Sequence, residues 1–256
     1  MSAAATRGIS RRARVHEAGS LRVRFPNVAP DAALEAVIVN TAGGMAGGDR
    51  FELGIDVGEA ARLIVTTAAA EKIYRSLGPD TAVNVKLKVG AGGMLGWLPQ
   101  ETVLFDRMRL RRTIEADLAR NAQLIVAEAM VFGRSAMGET VARGYLFDRW
   151  RIRVDGAHVF AEGLRLDGAI AENLAQRATA AGGAAIASVL KIPAGDADLA
   201  AVRATEGGFA GEVGVSAFNG LALARLVAAD GAALRRDLVG VLTAFNAVPL
   251  PRLWLN

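Results

Sequence analysis

One pattern recurs between residues 34 and 166, where a small residue precedes an apolar, strand-like segment. Four of these segments place Leu63, Leu95, Leu124 and Val159 at intervals of about 30 residues. A recurrence of this period predicts stacked β layers, in which each layer covers the apolar face of the previous one. The sequence therefore predicts a mainly β fold with stacked sheets, layered or β-helix-like.

The last third of the chain is alanine-rich and compatible with helices. Asp230 is a suitable N-terminal cap for a helix with one apolar face. The residues of that face are Leu234, Leu238, Val241, Leu242 and Phe245. A weaker helix is predicted between residues 170 and 178, and a loop or join over 194–214. With a few helices, mostly in its C-terminal third, the chain is expected to form a single domain over 1–256, in which 1–14 are a flexible tail.

Composition excludes several classes of function. Cysteine is absent, so disulfides, thiolate metal ligands and cysteine nucleophiles are excluded. The two histidines, His16 and His158, have no partner at the spacing of a metal site. The formal net charge is +4, but the basic residues are scattered and aromatic residues make up 5%, so no nucleic-acid partner is predicted. No membrane span is predicted either, whereas the 52% hydrophobic content predicts a surface that a protein partner covers.

The segment 40–51 has four glycines in six positions, Gly43, Gly44, Gly47 and Gly48, followed by Asp49. Such clusters occur where φ must be positive or where another group approaches the backbone closely. A phosphate-binding loop would need Lys-Ser or Lys-Thr after its last glycine, and a dinucleotide fingerprint would need a different glycine spacing. Two interpretations remain open, a tight connection between strands and a functional turn.

Five acidic residues lie in or beside apolar β segments, where an unpaired carboxylate is costly. They are Asp49, Glu101, Glu128, Glu139 and Glu162. One interpretation pairs them with nearby arginines, namely Arg75, Arg134 and Arg165, in buried ion pairs that hold turns together. The other is a polar passage, in which carboxylates and water line a route for a divalent cation that binds weakly enough to leave again.

Five motifs follow one another along the chain. In one-letter code they are NTAGGMAGGD at 40–49, TTAAAEKIYRS at 66–76, WLPQETVLF at 97–105, GRSAMGE at 133–139 and PLPRLW at 249–254. In this order and spacing, over roughly residues 20–256, the chain resembles the urease accessory protein UreD family, called UreH in some organisms. Besides the four glycines, the motif residues are Lys72, Tyr74, Arg75, Trp97, Gln100, Glu101, Arg134 and Glu139.

The resemblance implies a cytoplasmic maturation factor that is not an enzyme. Such a factor binds the accessory proteins UreF and UreG and the urease structural subunits, and it helps nickel reach the urease active site as UreG hydrolyses GTP. The resemblance also implies an internal, water-filled tunnel, on which Asp49, Glu128 and Glu162 fall by motif position. No tightly bound cofactor is expected, because oxygen ligands suit transient nickel(II) passage better than storage.

An enzyme remains the alternative from another class of function. It would use the Gly43–Asp49 loop to act on a small molecule, with Asp49 as the catalytic acid or base. This hypothesis requires a closed pocket around Asp49 that also contains a nucleophile or a cofactor.

Overall fold

A computed structural model describes residues 1–29 and 31–255. Its strands are β1 (Ser2–Thr6), β2 (Ile9–Arg14), β3 (Leu21–Arg24), β4 (Leu34–Asn40), β5 (Arg50–Val57), β6 (Arg62–Thr67), β7 (Glu71–Ile73), β8 (Thr81–Val89), β9 (Met94–Leu98), β10 (Thr102–Leu104), β11 (Arg109–Leu118), β12 (Gln123–Phe132), β13 (Gly144–Val154), β14 (Ala157–Gly168), β15 (Ala185–Ile192), β16 (Glu212–Phe218) and β17 (Leu221–Ala228). Its α-helices are α1 (Ile170–Ala175), α2 (Asp196–Arg203) and α3 (Gly231–Phe245), and short 3-10 turns occur at Ser135–Met137, Glu206–Gly208 and Arg252–Trp254.

The strands form two sheets that share the main hydrophobic core. The first sheet has the order β14-β13-β11-β8-β5-β1-β2, and the second has the order β16-β17-β15-β12-β9-β6-β4-β3, with the short strands β10 and β7 beside β12. From β4 to β13 the chain alternates between the sheets, so each circuit adds a parallel strand to both. The predicted mainly β fold with stacked sheets is confirmed, and it resembles a β-solenoid.

The leucines of the sequence repeat lie in register in the second sheet. Leu34 pairs with Leu63, Leu63 with Leu95, and Leu95 with Leu124. Parallel pairing in register directs equivalent side chains to the same face of a sheet. Each circuit therefore extends the same apolar face, which lies in the core between the sheets.

The prediction that Val159 is the fourth position of the repeat is wrong. Val159 lies on β14, which pairs antiparallel with β13 at the edge of the first sheet. The residues between these strands, Asp155 and Gly156, have positive φ values of 48° and 77°. Asp-Gly is a strong signal for a two-residue hairpin turn. Because of this turn, the chain folds back within one sheet instead of crossing to the other.

The predicted flexible tail at residues 1–14 is also wrong. β1 and β2 form an antiparallel hairpin, and β1 extends the first sheet by pairing with β5. The N-terminal ammonium of Met1 donates to the carbonyl oxygen of Gly54 at 2.6 Å. The turn residues Arg7 and Gly8 both have positive φ values, which is the geometry of a tight hairpin.

The helix α3 forms a second core with the other face of the second sheet. All five residues of its predicted apolar face are buried, and Asp230 caps it by accepting the N–H of Ala233 at 2.8 Å. The predicted helix near residue 170 is confirmed as α1. The loop predicted over 194–214 is partly wrong, because it contains α2, whose Asp198 carboxylate accepts the N–H of Gly195 at 2.9 Å. This local hydrogen bond stabilises the N-terminus of α2, which has no serine or threonine cap.

Candidate functional site

The sequence motifs gather at one end of the fold. The strands β4, β6, β9 and β12 are parallel, so the loops that follow them lie side by side. Backbone hydrogen bonds join these loops, from Met45 N–H to Lys72 O at 2.7 Å, from Glu71 N–H to Glu101 O at 2.9 Å and from Gly133 N–H to Leu104 O at 2.8 Å. Four of the five motifs therefore contribute to one continuous loop surface.

The glycine-rich loop fits closely against the motif that contains Tyr74. Gly44 is buried, and a β-carbon at this position would lie 2.5 Å from Cε2 of Tyr74. A β-carbon at Gly47 would overlap Oγ of Ser76. These two glycines therefore permit a close approach between loops, which explains why the sequence has no side chain there.

Asp49 completes the same loop. One of its carboxylate oxygens accepts the N–H of Ala46 at 2.8 Å, and the residue is exposed. Gly43 and Gly48 have positive φ values of 75° and 95°, a conformation that glycine adopts readily. This geometry favours the interpretation of the loop as a tight connection between strands.

Replacing Gly44 with alanine should lower the free energy of unfolding by about 1–3 kcal/mol, because the added methyl group displaces the Tyr74 ring. That ring packs edge-on against Phe105 with centroids 5.1 Å apart, and its hydroxyl donates to the carbonyl oxygen of Gly43 at 3.2 Å. Gly78→Ala is the matched control, since a β-carbon there would meet nothing within 4 Å. Urea denaturation compares the two variants, and equal stabilities would rule out the packing role of Gly44.

Arg134 and Glu139 close a second motif loop. Nε of Arg134 donates to the Glu139 carboxylate at 2.5 Å, and the guanidinium carbon lies 4.2 Å from the centroid of the Phe105 ring. The other carboxylate oxygen of Glu139 accepts the N–H of Asp106 at 3.4 Å. Glu139 therefore pairs with Arg134, one of the arginines that the sequence suggested, but the ion pair is partly exposed and not buried. Lys72 and Arg75, in contrast, are exposed.

Gln100 and Glu101 are tied to the C-terminal motif by Arg235 of α3, which sequence reasoning missed. One terminal nitrogen of Arg235 donates to the side chains of Gln100 and Glu101, at 3.0 Å for Glu101. The other donates to the carbonyl oxygen of Leu253 at 2.9 Å, and the guanidinium carbon lies 4.3 Å from the centroid of the Trp254 ring. A single arginine thus joins two motifs that are far apart in sequence.

A buried polar cluster lies in the core between the sheets. The guanidinium of Arg112 donates to the two carboxylate oxygens of Asp148 at 2.9 and 2.8 Å, and its remaining terminal nitrogen donates to Glu128. The indole N–H of Trp97 donates to Glu128 at 2.7 Å, and that of Trp150 donates to Asp148 at 3.1 Å. The three charged side chains are between 4% and 9% exposed, so the cluster is shielded from bulk water.

This cluster balances two carboxylates with one guanidinium. Burial raises the pKa of Glu128, and the negative charge of Asp148 raises it further. The ion pair with Arg112 and the hydrogen bond from Trp97 oppose this shift. Burial disfavours the charged form of Arg112, but Asp148 and Glu128 outweigh this effect and raise the pKa of Arg112. The guanidinium therefore stays charged. With both carboxylates ionised the cluster has a net negative charge, which favours the binding of a proton or a cation.

Sequence reasoning identified Glu128 but missed Arg112 and Asp148. Even-numbered positions face inward along β11 and along most of β13, and these two residues occupy such positions. A charged residue on the inward face of an alternating strand indicates a buried partner. That signal was present in the sequence, although it did not reveal which residues pair.

Two small cavities border the cluster, and Arg112 and Glu128 line both of them. The first has a volume of about 60 Å³, and its other polar lining residues are Thr67, Glu71, Gln100 and Thr102. The second has a volume of about 40 Å³, and its other polar lining residues are Asp148, Glu162 and Ser188. Each can hold at least one water molecule. The structure thus brings Glu128 and Glu162 to one cavity.

Asp49 lies at neither cavity. It lines an open groove of about 670 Å³ beside β3 and β5. The groove and the 60 Å³ cavity share the wall residues Leu21, Ile38, Phe51 and Leu53. The groove is therefore adjacent to the interior cavity. At the second cavity, Glu162 is 27% exposed and forms an ion pair with Arg225 at 2.9 Å, so this cavity lies close to the surface.

Among the described residues, no group of three or more histidine, cysteine, aspartate or glutamate side chains is arranged to hold a metal ion. His158 instead accepts a hydrogen bond from Nε of Arg153 at 3.1 Å. In the same part of the chain, no helix combines the length and the apolar character needed to cross a membrane.

Comparison with known proteins gives a consistent family match. Residues 1–255 match the family model described as UreD urease accessory protein. The chain is 53% identical over 249 residues to the urease accessory protein UreD of Rhodopseudomonas palustris strain HaA2. The aligned region covers 97% of this chain and 89% of that protein. It is equally similar, at 53% over 249 residues, to UreD of Bradyrhizobium diazoefficiens strain USDA 110, with coverages of 97% and 90%. Urease accessory protein UreD 1 of Bradyrhizobium sp. strain ORS 278 is 49% identical over 249 residues, with coverages of 97% and 89%.

Proposed function

Because this chain belongs to the UreD family of urease accessory proteins, we propose that it is a maturation factor through which nickel(II) passes on its way to urease. It binds the accessory proteins UreF and UreG and the urease structural subunits in the cytoplasm, and it catalyses no reaction itself. The observation that carries the passage is the pair of cavities beside Arg112 and Glu128, one of which is also lined by Glu162.

The chemistry of the lining residues supports transfer over storage. Nickel is held tightly by imidazole and thiolate ligands, whereas carboxylate oxygens bind it more weakly. The chain has no cysteine, and the polar side chains at the 40 Å³ cavity are carboxylates, a serine and one arginine. A cation at this cavity can therefore exchange with water and with the next ligand.

The loop end of the molecule supports partner binding. Leu77, in the loop after β7, is 96% exposed, and Met137, in the loop after β12, is 72% exposed. A protein partner that covers this loop surface would remove both apolar side chains from water. A tagged form of the chain should capture UreF and apo-urease from a mixture of purified proteins. Failure to capture either one would contradict the partner assignment.

The alternative of an enzyme centred on Asp49 has less support. The carboxylate of Asp49 is exposed and accepts a hydrogen bond from its own loop, so its place in the turn explains its presence. General acid or base catalysis by this residue requires a pocket that positions a substrate against it. Turnover of a small molecule that is abolished by Asp49→Asn would revive this alternative.

Replacing Glu162 with leucine should lower urease activation by roughly tenfold, the lower end of the losses seen when a residue supporting a metal site is removed. Glu162 lines the 40 Å³ cavity, and its substitution removes a carboxylate from the passage. Urease activity is measured in cells whose own copy of this factor has been deleted and replaced by the variant. Co-purification with UreF and apo-urease should be unchanged.

Asp167→Leu is the matched control for this experiment. Asp167 lies on the same strand, β14, and forms an exposed ion pair with Arg165 at 2.9 Å, away from the cavity. The control should activate urease like the original chain. Full activation by Glu162→Leu, or an equal loss in both variants, would rule out a role for the cavity carboxylate.

A further inference from the structure

Arg112 lies at the boundary between the two small cavities beside the polar cluster. Its side chain is 5% exposed, and together with Glu128 it lines both the 60 Å³ and the 40 Å³ cavity. Its three guanidinium nitrogens all donate to Asp148 or Glu128. The guanidinium therefore lies on the direct route between the two cavities.

The two carboxylates have partners other than Arg112. Trp97 donates its indole N–H to Glu128, and Trp150 donates its indole N–H to Asp148. Both indole rings are buried, so they hold the carboxylates in place. Arginine has a long side chain with many rotamers. It is therefore the member of the cluster that can move while the two acids stay in position.

Charge determines when Arg112 can move. The guanidinium stays protonated in this environment, and removing it would leave two buried carboxylates without a counter-ion, which is strongly unfavourable. A divalent cation placed between Glu128 and Asp148 would neutralise both. The displaced guanidinium can turn toward the 60 Å³ cavity, where Glu71 offers another carboxylate.

We propose that Arg112 is the resident counter-ion that closes the passage, and that a divalent cation advances only by taking its place between Glu128 and Asp148. The inference rests on the passage proposed above and adds a mechanism of control to it. A monovalent ion would only match the charge of the guanidinium without replacing its three hydrogen bonds. Arg112 and Asp148 therefore determine both whether the route is open and which cations enter it.

Nickel binding to the purified protein tests this proposal without urease. Arg112→Met removes the resident cation, and isothermal titration with nickel chloride should then give at least tenfold tighter binding than in the original chain. Arg112→Lys retains a cation and should remain close to the original chain. The control is Arg112→Met/Glu128→Gln/Asp148→Asn, which also lacks the carboxylates and should not gain the site. Thermal melting with and without nickel gives a second readout, because a ligand of the folded state raises the melting temperature.

The proposal is overturned if folded Arg112→Met binds nickel no more tightly than the triple variant. If Arg112→Met does not fold without metal, nickel should restore folding where sodium does not. A failure of nickel to restore folding would also overturn the proposal. These results are independent of the urease assay. If Arg112→Met gains no nickel site while Glu162→Leu lowers urease activation as expected, the control mechanism alone is contradicted. If Arg112→Met gains the site while Glu162→Leu activates urease fully, the proposed function is contradicted.

Discussion

Arg112→Met should lower the free energy of unfolding at neutral pH by about 3–5 kcal/mol, the range for breaking a buried ion pair by removing one partner. The guanidinium satisfies two carboxylates that are 4% and 9% exposed. Without it, both remain buried with only one indole N–H each from Trp97 and Trp150. Urea denaturation in a chelating buffer measures the change without interference from metal ions.

Two further variants show whether unpaired charge is the cause. Arg111→Met, at the neighbouring half-exposed position, should change stability by no more than about 1 kcal/mol, because exposed ion pairs contribute little. Neutralising the acids together with Arg112, in Arg112→Met/Glu128→Gln/Asp148→Asn, should recover part of the loss. A triple variant that is less stable than Arg112→Met would show that packing, and not charge, dominates at this cluster.

Trp254→Ala should lower the free energy of unfolding by about 3–5 kcal/mol, as for other large buried aromatic residues. Trp254 is 2% exposed, and its indole N–H donates to the carbonyl oxygen of Leu98 at 2.9 Å. Its ring also lies under the guanidinium of Arg235, so its loss would loosen the contact between the C-terminal motif and Gln100.

The neighbouring residue supplies the control for this substitution. Leu255 is 65% exposed, and Leu255→Ala should change stability by no more than about 0.5 kcal/mol. Chemical denaturation of both variants compares a buried with an exposed residue of the same segment. Similar stabilities for Trp254→Ala and Leu255→Ala would mean that the C-terminal motif is not anchored by the tryptophan.

The stacking of the strands could be predicted because strands paired in parallel and in register have the same apolar pattern, which then recurs along the sequence. Leu63, Leu95 and Leu124 recur at about 30-residue intervals since each circuit places an equivalent strand on the last. The same reasoning failed at Val159, where a local Asp-Gly turn outweighs the period. Local turns also explain the hairpin at the N-terminus, which the Arg-rich composition of residues 7–14 concealed.

The candidate site was less predictable, because its residues meet only through the packing of two sheets. Glu128 lies on β12 of the second sheet and Glu162 on β14 of the first, and no spacing in the sequence predicts that they share a cavity. Motif position grouped Asp49 with them, yet the structure has Asp49 on the open groove instead. Arg112 and Asp148 have the alternation signal of inward positions, but their pairing with Glu128 is a tertiary contact.

Nickel content of urease matured with Ser188→Phe is the most direct measurement of passage through the interior. Ser188 lies opposite Glu128 in the strand pairing of β12 with β15 and lines the 40 Å³ cavity, so a phenyl ring there fills the space without removing a charged group. Ser216→Phe, on the exposed edge strand β16, is the control. With complex formation intact, Ser188→Phe should yield nickel-poor urease and Ser216→Phe a normal nickel content. A full complement of nickel in urease matured with Ser188→Phe would contradict the passage.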